Sequence, residues 1–385
     1  MANPFVWFLI AGALFLIAEV AARFLFPANP SFKVRQSLNL AFEPSGFACY
    51  FPTPNQVIFE RDEGKVLQDK PRYRINSHGY RGEECPVEKS EDEIRIVFLG
   101  GSHVFDVVSY DYRGDLGFPH LVQKRFREAG YNVTVINAGL PGNDTRYFAP
   151  KLILDLHRLR PDIVIASSIW NDLKWISRAD KDTLFLRFSP KAIRKNPMTE
   201  RVNFLDAVLG FSAVYRNLRD SYWRRKLKLQ QDKVIHEGIP DTNLTDAGDY
   251  SRGLEQYRQN VAAVVSLSRS MGAVPVLAVE ERLVGPEASE EDKRKIPYHM
   301  VNVKTHAELA HLFRECEAVM EGVAAESDVS LINLQPEMEG RAEYFFDHIH
   351  TSSKGSRFIA ERYFEFLKNV VDERLSQRLS ASTIR

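Results

Sequence analysis

From residue 94 onward, short apolar runs alternate with longer amphipathic segments. Five runs rich in Val, Ile and Leu have the length and composition of buried strands: IRIVFLG, NVTVINAG, PDIVIASSI, VPVLAVE and VSLINL. The segments between and after them repeat apolar residues every three or four positions, which predicts helices. Strands that alternate with helices favour a parallel sheet covered on both faces. The pattern therefore predicts a three-layer α/β/α sandwich with a central, mostly parallel five-stranded sheet.

Three stretches depart from this alternation. Residues 28–93 lack helical periodicity and are interpreted as an N-terminal extension packed on the main domain; RYRINSHGYRGEE within them predicts a short strand ending in a turn. An insertion at about 173–250 interrupts the main domain, which we place at 94–375. Its segment VYRNLRDSYWRRKLKLQQDK suits a lid, a membrane-surface helix or a solvated helix with a buried aromatic face. Residues 376–385 are interpreted as a C-terminal tail.

The N-terminal segment FVWFLIAGALFLIAEVAARFLF, residues 5–26, is apolar apart from Glu19 and Arg23. About 20 apolar residues are enough for a helix to span a bilayer, and two residues four positions apart share one helix face. We therefore predict a transmembrane anchor within residues 1–27, with the membrane as a partner. A cleaved signal peptide is the alternative, although MANP supplies no basic region ahead of the apolar run.

The charges that flank this segment bear on its orientation. Basic residues lie near the end of the segment and after it, and none precedes it: Arg23, Lys33 and Arg35. By the positive-inside rule, this distribution favours a single-pass protein with a cytoplasmic C-terminal domain.

Composition narrows the class of protein. Lys plus Arg equals Asp plus Glu at 51 each among 385 residues, so no basic excess points to nucleic acid as a partner. A hydrophobic fraction of 44% and a charged fraction of 26% are those of a globular protein. Cys49, Cys85 and Cys316 form neither a disulfide framework nor a CxxC metal motif, and whether Cys49 and Cys85 pair stays open.

The stretch RIVFLGGSHVFD, residues 95–106, leaves the first strand through Gly100 and Gly101 and then presents Ser102 where a helix can begin. Ser102 can be part of a tight turn, of a phosphate-binding helix N-terminus, or a nucleophile beside oxyanion donors. Taken alone, it fits a tight turn best. The phosphate site is disfavoured because the chain has neither GxxxxGK[ST] nor GxGxxG. Position favours function, since sites form at the carboxyl ends of parallel strands.

A serine nucleophile needs a base and a group that orients the base. YFFDHIHTSSKG supplies Asp347 and His350, three positions apart, between the fifth strand and the last helix. With His348, these residues also suit zinc, but no further His or Cys cluster completes a coordination sphere. We therefore expect no metal and no organic cofactor. We expect His348 and His103 to form local hydrogen bonds rather than to take part in catalysis.

Two further strand ends offer candidate oxyanion donors. The second strand ends in the glycine-rich turn NAGLPGNDT, whose backbone can approach a ligand closely. The third ends in SSIWNDL, where the side-chain NH2 of Asn171 can point toward the same edge of the sheet. Asp172 beside it either braces the site or caps the following helix. Four of the five strand ends thus carry groups suited to acyl transfer.

In this order, these segments resemble the SGNH (GDSL-type) hydrolases, a family named for a Ser, a Gly, an Asn and a His in separate sequence blocks. The resemblance implies a flavodoxin-like sandwich in which Ser102 is the nucleophile, with Asp347 and His350 completing its triad. It also implies an oxyanion hole formed by the N–H of Ser102, by Gly142 in NAGLPG and by the amide of Asn171.

The resemblance covers about residues 72–372 and leaves out the anchor and the insertion. It departs from the family at Gly101, where the namesake sequence has Asp before the serine. That aspartate takes no part in proton transfer, so the chemistry is not excluded, but other contacts must support the turn. NSHGYRG ahead of GGS also resembles a bacterial subgroup that carries an N-terminal membrane helix.

The function implied is that of a serine-dependent esterase that removes acyl groups from a carbohydrate, a lipid or a small ester. An O-acyltransferase that modifies a cell-envelope polysaccharide would use the same residues and differ only in the acceptor, so the sequence leaves it open. A non-catalytic, membrane-tethered binding module is the third interpretation. The intact Ser, His and Asp set argues against it, and Gly101 is the one feature in its favour.

Overall fold

A computed structural model describes the chain at residues 3–25, 42–45, 49–62, 65–106, 117–177, 209, 212–215, 217–218, 221–222, 225, 250–283, 285–301, 303 and 305–383. Its strands are β1 (Phe42–Ser45), β2 (Cys49–Pro52), β3 (Gln56–Asp62), β4 (Lys65–Ile75), β5 (Ile94–Gly100), β6 (Val133–Asn137), β7 (Ile163–Ser167), β8 (Val274–Ala278) and β9 (Ser330–Ile332). Its helices are α1 (Pro4–Leu25), α2 (Ser102–Phe105), α3 (Phe118–Glu128), α4 (Phe148–Leu154), α5 (Trp170–Ile176), α6 (Ser251–Ser270), α7 (Glu290–Lys293), α8 (His306–Ser327), α9 (Gln335–Met338) and α10 (Ser353–Thr383).

Strands β5 to β9 form one parallel sheet in the order β6–β5–β7–β8–β9. The first strand, β5, is paired on both sides: Ile96 lies opposite Val135 of β6 and Ile163 of β7. This is the 2-1-3-4-5 order of flavodoxin-like folds, in which ligands bind where the strand order reverses. All residues of β5 and β7 are buried, which explains why these strands read as continuous apolar runs. The predicted parallel five-stranded sheet is confirmed.

Helices cover both faces of this sheet. On one face α3 packs against α10. There, Phe98 of β5 lies between Phe118 and Tyr363, with ring centroids 5.6 Å and 5.3 Å away. On the other face α6 packs against α4 and α8, and Tyr257 of α6 is fully buried. These two helical layers and the sheet form the predicted α/β/α sandwich.

Two antiparallel hairpins, β1–β2 and β3–β4, precede the sandwich. Strand β4 ends at Ile75, and a turn follows, as predicted from RYRINSHGYRGEE. Arg81 then bridges to Asn137 at the end of β6 and donates a hydrogen bond of 2.6 Å to the carbonyl of Phe105. The extension therefore contacts the sandwich at the residues that follow Ser102.

The apolar N-terminal segment forms α1, and its window Val6–Arg23 has a mean hydropathy of 1.9 with 11% of it buried. Length and composition suit both a membrane span and a signal sequence. Glu19, the acidic residue of this helix, accepts hydrogen bonds from the hydroxyl of Ser212 at 2.8 Å and the N–H of Ala213 at 2.7 Å. Arg23 donates to the same carboxylate at 2.9 Å.

The C-terminal segment 376–385, interpreted as a tail, is helical over most of its length. Helix α10 runs through it as far as Thr383. The helix continues because Arg378 donates hydrogen bonds to the carbonyls of Glu91 and Glu93, at 3.0 Å and 2.7 Å, and pairs with Asp162. Contacts this far apart in sequence leave no local signal.

Two other expectations concern residues that lie wholly or partly outside the described part of the chain. Most of the insertion at 173–250 lies outside them, so its lid, membrane-surface and solvated-helix interpretations stay open. Cys85 and Cys316 are buried free thiols, and the side chain of Cys49 lies outside the described part of the chain.

Candidate active site

Ser102 begins α2, two positions after β5 ends at Gly100. The helix is a single turn that ends at Asp106, whose φ of 57° is left-handed. His103 is buried with the rest of this turn, whereas Ser102 is only partly buried. Ser102 thus lies at the carboxyl end of β5, where the strand order of the sheet reverses and ligands bind in open α/β sheets.

The structure brings Ser102, His350 and Asp347 into one hydrogen-bonded row. Ser102 Oγ lies 2.8 Å from His350 Nε2, and His350 Nδ1 lies 2.7 Å from Asp347 Oδ2. An ionised carboxylate can only accept, so Nδ1 carries the ring proton and Nε2 is free to accept from the serine hydroxyl. This tautomer is the one in which a histidine acts as a general base toward a serine.

Asp347 is fixed in place and stays ionised. Its Oδ1 accepts the backbone N–H groups of Ile349 and His350, at 3.0 Å and 2.8 Å. Burial by itself would raise its pKa, but the hydrogen bonds from the ring and backbone of His350, with the charge of that ring, hold the pKa of Asp347 well below its usual range. A permanently charged Asp347 can therefore stabilise an imidazolium at His350.

Asn171, in the first turn of α5, lies beside this row with its amide held at both ends. Its Nδ2 donates to the carbonyl of Asn143 at 2.8 Å, and its Oδ1 accepts from Lys174 Nζ at 3.0 Å. These two contacts fix which end of the amide is the NH2 group. One proton of that NH2 group is not used by Asn143, so it is available to an oxyanion.

Gly101 provides the space for the Asn171 amide. A Cβ atom at position 101 would lie 2.5 Å from Asn171 Nδ2 and 3.2 Å from the carbonyl oxygen of Asn143. A distance of 2.5 Å is well inside van der Waals contact, so a side chain at this position would displace the amide. The departure from the family motif is thus accompanied by close packing between the nucleophile turn and Asn171.

The glycine-rich turn after β6 also contacts the Asn171 amide. Gly142 has a φ of 77°, a left-handed conformation that favours glycine, and it precedes the Asn143 carbonyl that accepts from Asn171. Asp172 joins this turn to α5, since it accepts the N–H and the hydroxyl of Thr145 at 3.1 Å and 2.5 Å. Of the two roles considered for Asp172, the bracing role is the one that its contacts match.

Asp172 is fully buried, and its surroundings disfavour its charge. Burial, with the nearby charge of Asp144, raises the pKa of Asp172 well above its usual value. Three donated hydrogen bonds partly offset this effect: two come from Thr145, and one comes from the Ser168 hydroxyl at 2.7 Å. The two turns that flank Ser102 are therefore held together by a polar core rather than by apolar packing alone.

His348 and His103 were both expected to form local hydrogen bonds, and only His103 does. Among the described residues, neither ring nitrogen of His348 has a hydrogen-bond partner, so the expectation for His348 is wrong. Its ring packs edge-on against Trp170 instead, with centroids 4.2 Å apart. Burial lowers the pKa of His348 to about 4, so the ring is neutral at physiological pH. His103 Nε2 lies 3.1 Å from Ser167 Oγ.

Two polar residues at the site were not predicted. Lys174 stands three positions after Asn171 on the same helix, a spacing that places both side chains on one face, so the sequence contained a usable signal. Glu280 follows β8, the one strand end to which the sequence assigned no group, and it contacts α5 and His103. No local pattern indicates that contact. Among the described residues, no cluster of three or more His, Cys, Asp or Glu side chains could hold a metal ion.

No family model and no curated protein matches this chain. Among solved structures, GDSL-type lipases, acylhydrolases and acetylxylan esterases resemble it. A lipase/acylhydrolase from Enterococcus faecalis is 17% identical with a TM-score of 0.40, over 72% of this chain and 96% of that one.

Two further similar structures are as distant. A GDSL-like lipase from Bacteroides thetaiotaomicron is 13% identical with a TM-score of 0.38, over 76% of this chain and 93% of that one. A catalytic mutant of the acetylxylan esterase Axe2 from Geobacillus stearothermophilus is 14% identical with a TM-score of 0.39, over 71% and 93%. At these identities and scores, the chemistry of this chain has to be argued from its own side chains.

Proposed function

We propose that this protein is a serine-dependent ester hydrolase of the SGNH type, with Ser102 as the nucleophile, His350 as the base and Asp347 as the group that orients the base. The observation that carries the proposal is the row of short contacts from Ser102 through His350 to Asp347, at 2.8 Å and 2.7 Å. Ser102 and His350 are 248 positions apart, so this alignment is a product of the fold rather than of sequence proximity.

In the first half of the reaction, Ser102 Oγ attacks the carbonyl carbon of the ester while His350 Nε2 takes the serine proton. The carbonyl oxygen becomes an oxyanion, and its donors are the N–H groups of Ser102 and Gly142 and the amide of Asn171. The C–O bond to the alcohol then breaks, and His350 returns the proton to the leaving oxygen. The products of this half are a free alcohol and an acyl group on Ser102.

In the second half, water replaces the alcohol. His350 takes a proton from water, whose oxygen attacks the acyl carbon, and the same donors hold the second oxyanion. The bond to Ser102 Oγ breaks, the serine regains its proton from His350, and a carboxylic acid leaves. Every proton transfer is accounted for by side chains of the chain, so the proposed reaction takes no metal and no organic cofactor.

The substrate class we propose is an ester of a carbohydrate, a lipid or a small alcohol. We further propose that α1 is retained as a single-pass membrane anchor, with the catalytic domain on the cytoplasmic side. The exposed apolar surface of α1 and the basic residues that follow it support this arrangement.

The proposal is tested by labelling the full chain, in detergent micelles, with a fluorophosphonate and measuring the intact mass. We expect one adduct on the wild-type chain and none on Ser102→Ala or His350→Ala, because the phosphonate requires an activated serine. Ser352→Ala is the matched control: this partly buried serine lies two positions after His350 and donates to the carbonyl of Glu343. It should label like the wild type.

A folded wild-type chain that takes no adduct would overturn the esterase proposal and favour the binding module. Labelling of Ser102 moves the question to the acceptor of the acyl group. Release of p-nitrophenol from p-nitrophenyl acetate is then followed with and without an added oligosaccharide. Hydrolysis predicts an unchanged rate and free acetate as product, whereas faster turnover with acetylated sugar as product would favour the O-acyltransferase.

A further inference from the structure

Glu280 is a buried carboxylate that the reaction as written does not use. It stands two positions after β8 ends at Ala278 and is 1% exposed. Its Oε2 accepts the backbone N–H groups of Ile169 and Trp170, the latter at 2.7 Å. These two residues start the helix that carries Asn171, so Glu280 holds the backbone immediately before the oxyanion amide. A carboxylate suits this place because the N–H groups of a first helical turn lack partners within the helix.

The other oxygen of Glu280 faces the nucleophile turn. Its Oε1 lies 3.1 Å from Nδ1 of His103, the residue that follows Ser102. On its far side, the same imidazole contacts Ser167, the last residue of β7. One carboxylate therefore lies between the turn that presents Ser102 and the turn that presents Asn171.

Opposite charges strengthen this link. Burial would lower the pKa of His103, but the charge of Glu280 outweighs burial and raises it above its usual value. Burial would likewise raise the pKa of Glu280, but His103 and the two backbone donors bring it down to about 2. A buried ion pair gives little net stability, because desolvation of both groups offsets their attraction. We therefore expect this ion pair to act mainly on the relative positions of the two turns that it joins.

We propose that Glu280 is a positioning residue that fixes the distance between Ser102 and Asn171, through His103 on one side and the N–H groups of Ile169 and Trp170 on the other. The inference rests on the proposed function and adds a group to it that touches neither substrate nor reacting atoms. Misplacement of a catalytic group by about 1 Å can cost roughly 100-fold in rate. Loss of this carboxylate should therefore act on the oxyanion step rather than on substrate binding.

The test is a double-mutant cycle on the full chain in detergent, with hydrolysis of p-nitrophenyl acetate and the rate of fluorophosphonate labelling as readouts. We expect Glu280→Gln to lower kcat by about 10- to 100-fold with KM changed less than about 3-fold. In an Asn171→Ala background, the same substitution should change kcat less than about 3-fold, because the amide that Glu280 positions is gone.

Glu281→Gln is the matched control, since Glu281 is also buried and adjacent but, among the described residues, accepts no hydrogen bond from α5. It should change kcat less than about 3-fold. An equal loss from Glu280→Gln in both backgrounds, or an equal loss in Glu281→Gln, would overturn the positioning role. Should Glu280→Gln fail to fold, His103→Gln carries the same cycle, because it removes the link on the nucleophile side alone.

The two proposals fail in different ways. A folded wild-type chain that neither hydrolyses the ester nor takes the phosphonate removes the proposed function and the positioning role with it. The other outcome is an active wild-type chain whose activity falls on Asn171→Ala and falls again, by the full Glu280→Gln factor, in the double variant. That result would retain the proposed esterase function and remove the positioning role only.

Discussion

Gly101, the residue before Ser102, packs so closely against the Asn171 amide that there is no space for a side chain at this position. A Cβ there would lie 2.5 Å from Asn171 Nδ2, so we expect Gly101→Ala to displace the amide and lower kcat. Loss of one oxyanion donor typically lowers kcat ~100- to 1000-fold. We therefore expect Gly101→Ala to lower kcat by no more than this factor. The measurement is kcat on p-nitrophenyl acetate together with the thermal unfolding temperature.

Gly322→Ala is the control for this substitution, because a Cβ at Gly322 in α8 meets nothing within 4 Å. It should leave kcat unchanged and keep or slightly raise stability, since Ala is the better helix former. A Gly101→Ala variant that is folded and fully active would show that the amide can move without loss.

His348 gives a pH dependence of stability with a definite sign. Its pKa is lowered from 6.5 to about 4 by burial, so between these values the unfolded chain binds a proton that the folded chain does not. Stability should therefore fall as the pH falls from about 6.5 toward about 4. We expect His348→Gln to weaken this dependence, as measured by denaturant unfolding at several pH values. His311→Gln, a substitution on α8 away from the site, should leave it unchanged.

At the scale of elements, the end of α10 is held by contacts far from it in sequence. Arg378 donates to the carbonyls of Glu91 and Glu93 and pairs with the buried Asp162. We expect Arg378→Ala to lower the free energy of unfolding by about 1.5–3 kcal/mol, the range for hydrogen bonds that involve a charged group. Activity on p-nitrophenyl acetate should not change.

Arg362→Ala on the same helix is the comparison, because Arg362 forms ion pairs with Glu337 and Glu365 on the exposed surface. Exposed pairs contribute about 0–1 kcal/mol. If the two substitutions cost the same, the end of α10 is not specially anchored.

The elements of the sandwich could be predicted because each of them has a local signal. Fully buried parallel strands read as apolar runs, and the amphipathic helices between them repeat every three or four residues. The positions of Ser102, Asn171 and the pair Asp347 and His350 at one edge follow from the rule that parallel strands end on the same side of a sheet.

The parts that could not be predicted depend on contacts between distant segments. Glu280 binds backbone N–H groups more than 100 positions away, and a backbone donor leaves no signature in the sequence. The same holds for Arg378 and the true end of α10. Lys174 is different, since its spacing of three from Asn171 could have been read as one helix face.

At the scale of the whole molecule, the proposed membrane anchor depends on whether the apolar helix α1 is retained in the mature chain. If α1 is a retained anchor, the chain isolated from membranes should keep its full mass of 44.1 kDa and resist extraction with alkaline carbonate. A variant without residues 1–27 should move to the soluble fraction and still take the phosphonate at Ser102. A chain that is recovered in the soluble fraction and has lost its first residues would identify α1 as a cleaved signal sequence.

The position of the base near the C-terminus has a consequence during synthesis. Ser102 leaves the ribosome long before its base, because His350 lies 248 positions after it. The serine therefore has no partner to take its proton until residue 350 has been synthesised and the sandwich has folded, so the growing chain cannot hydrolyse an ester by the proposed reaction.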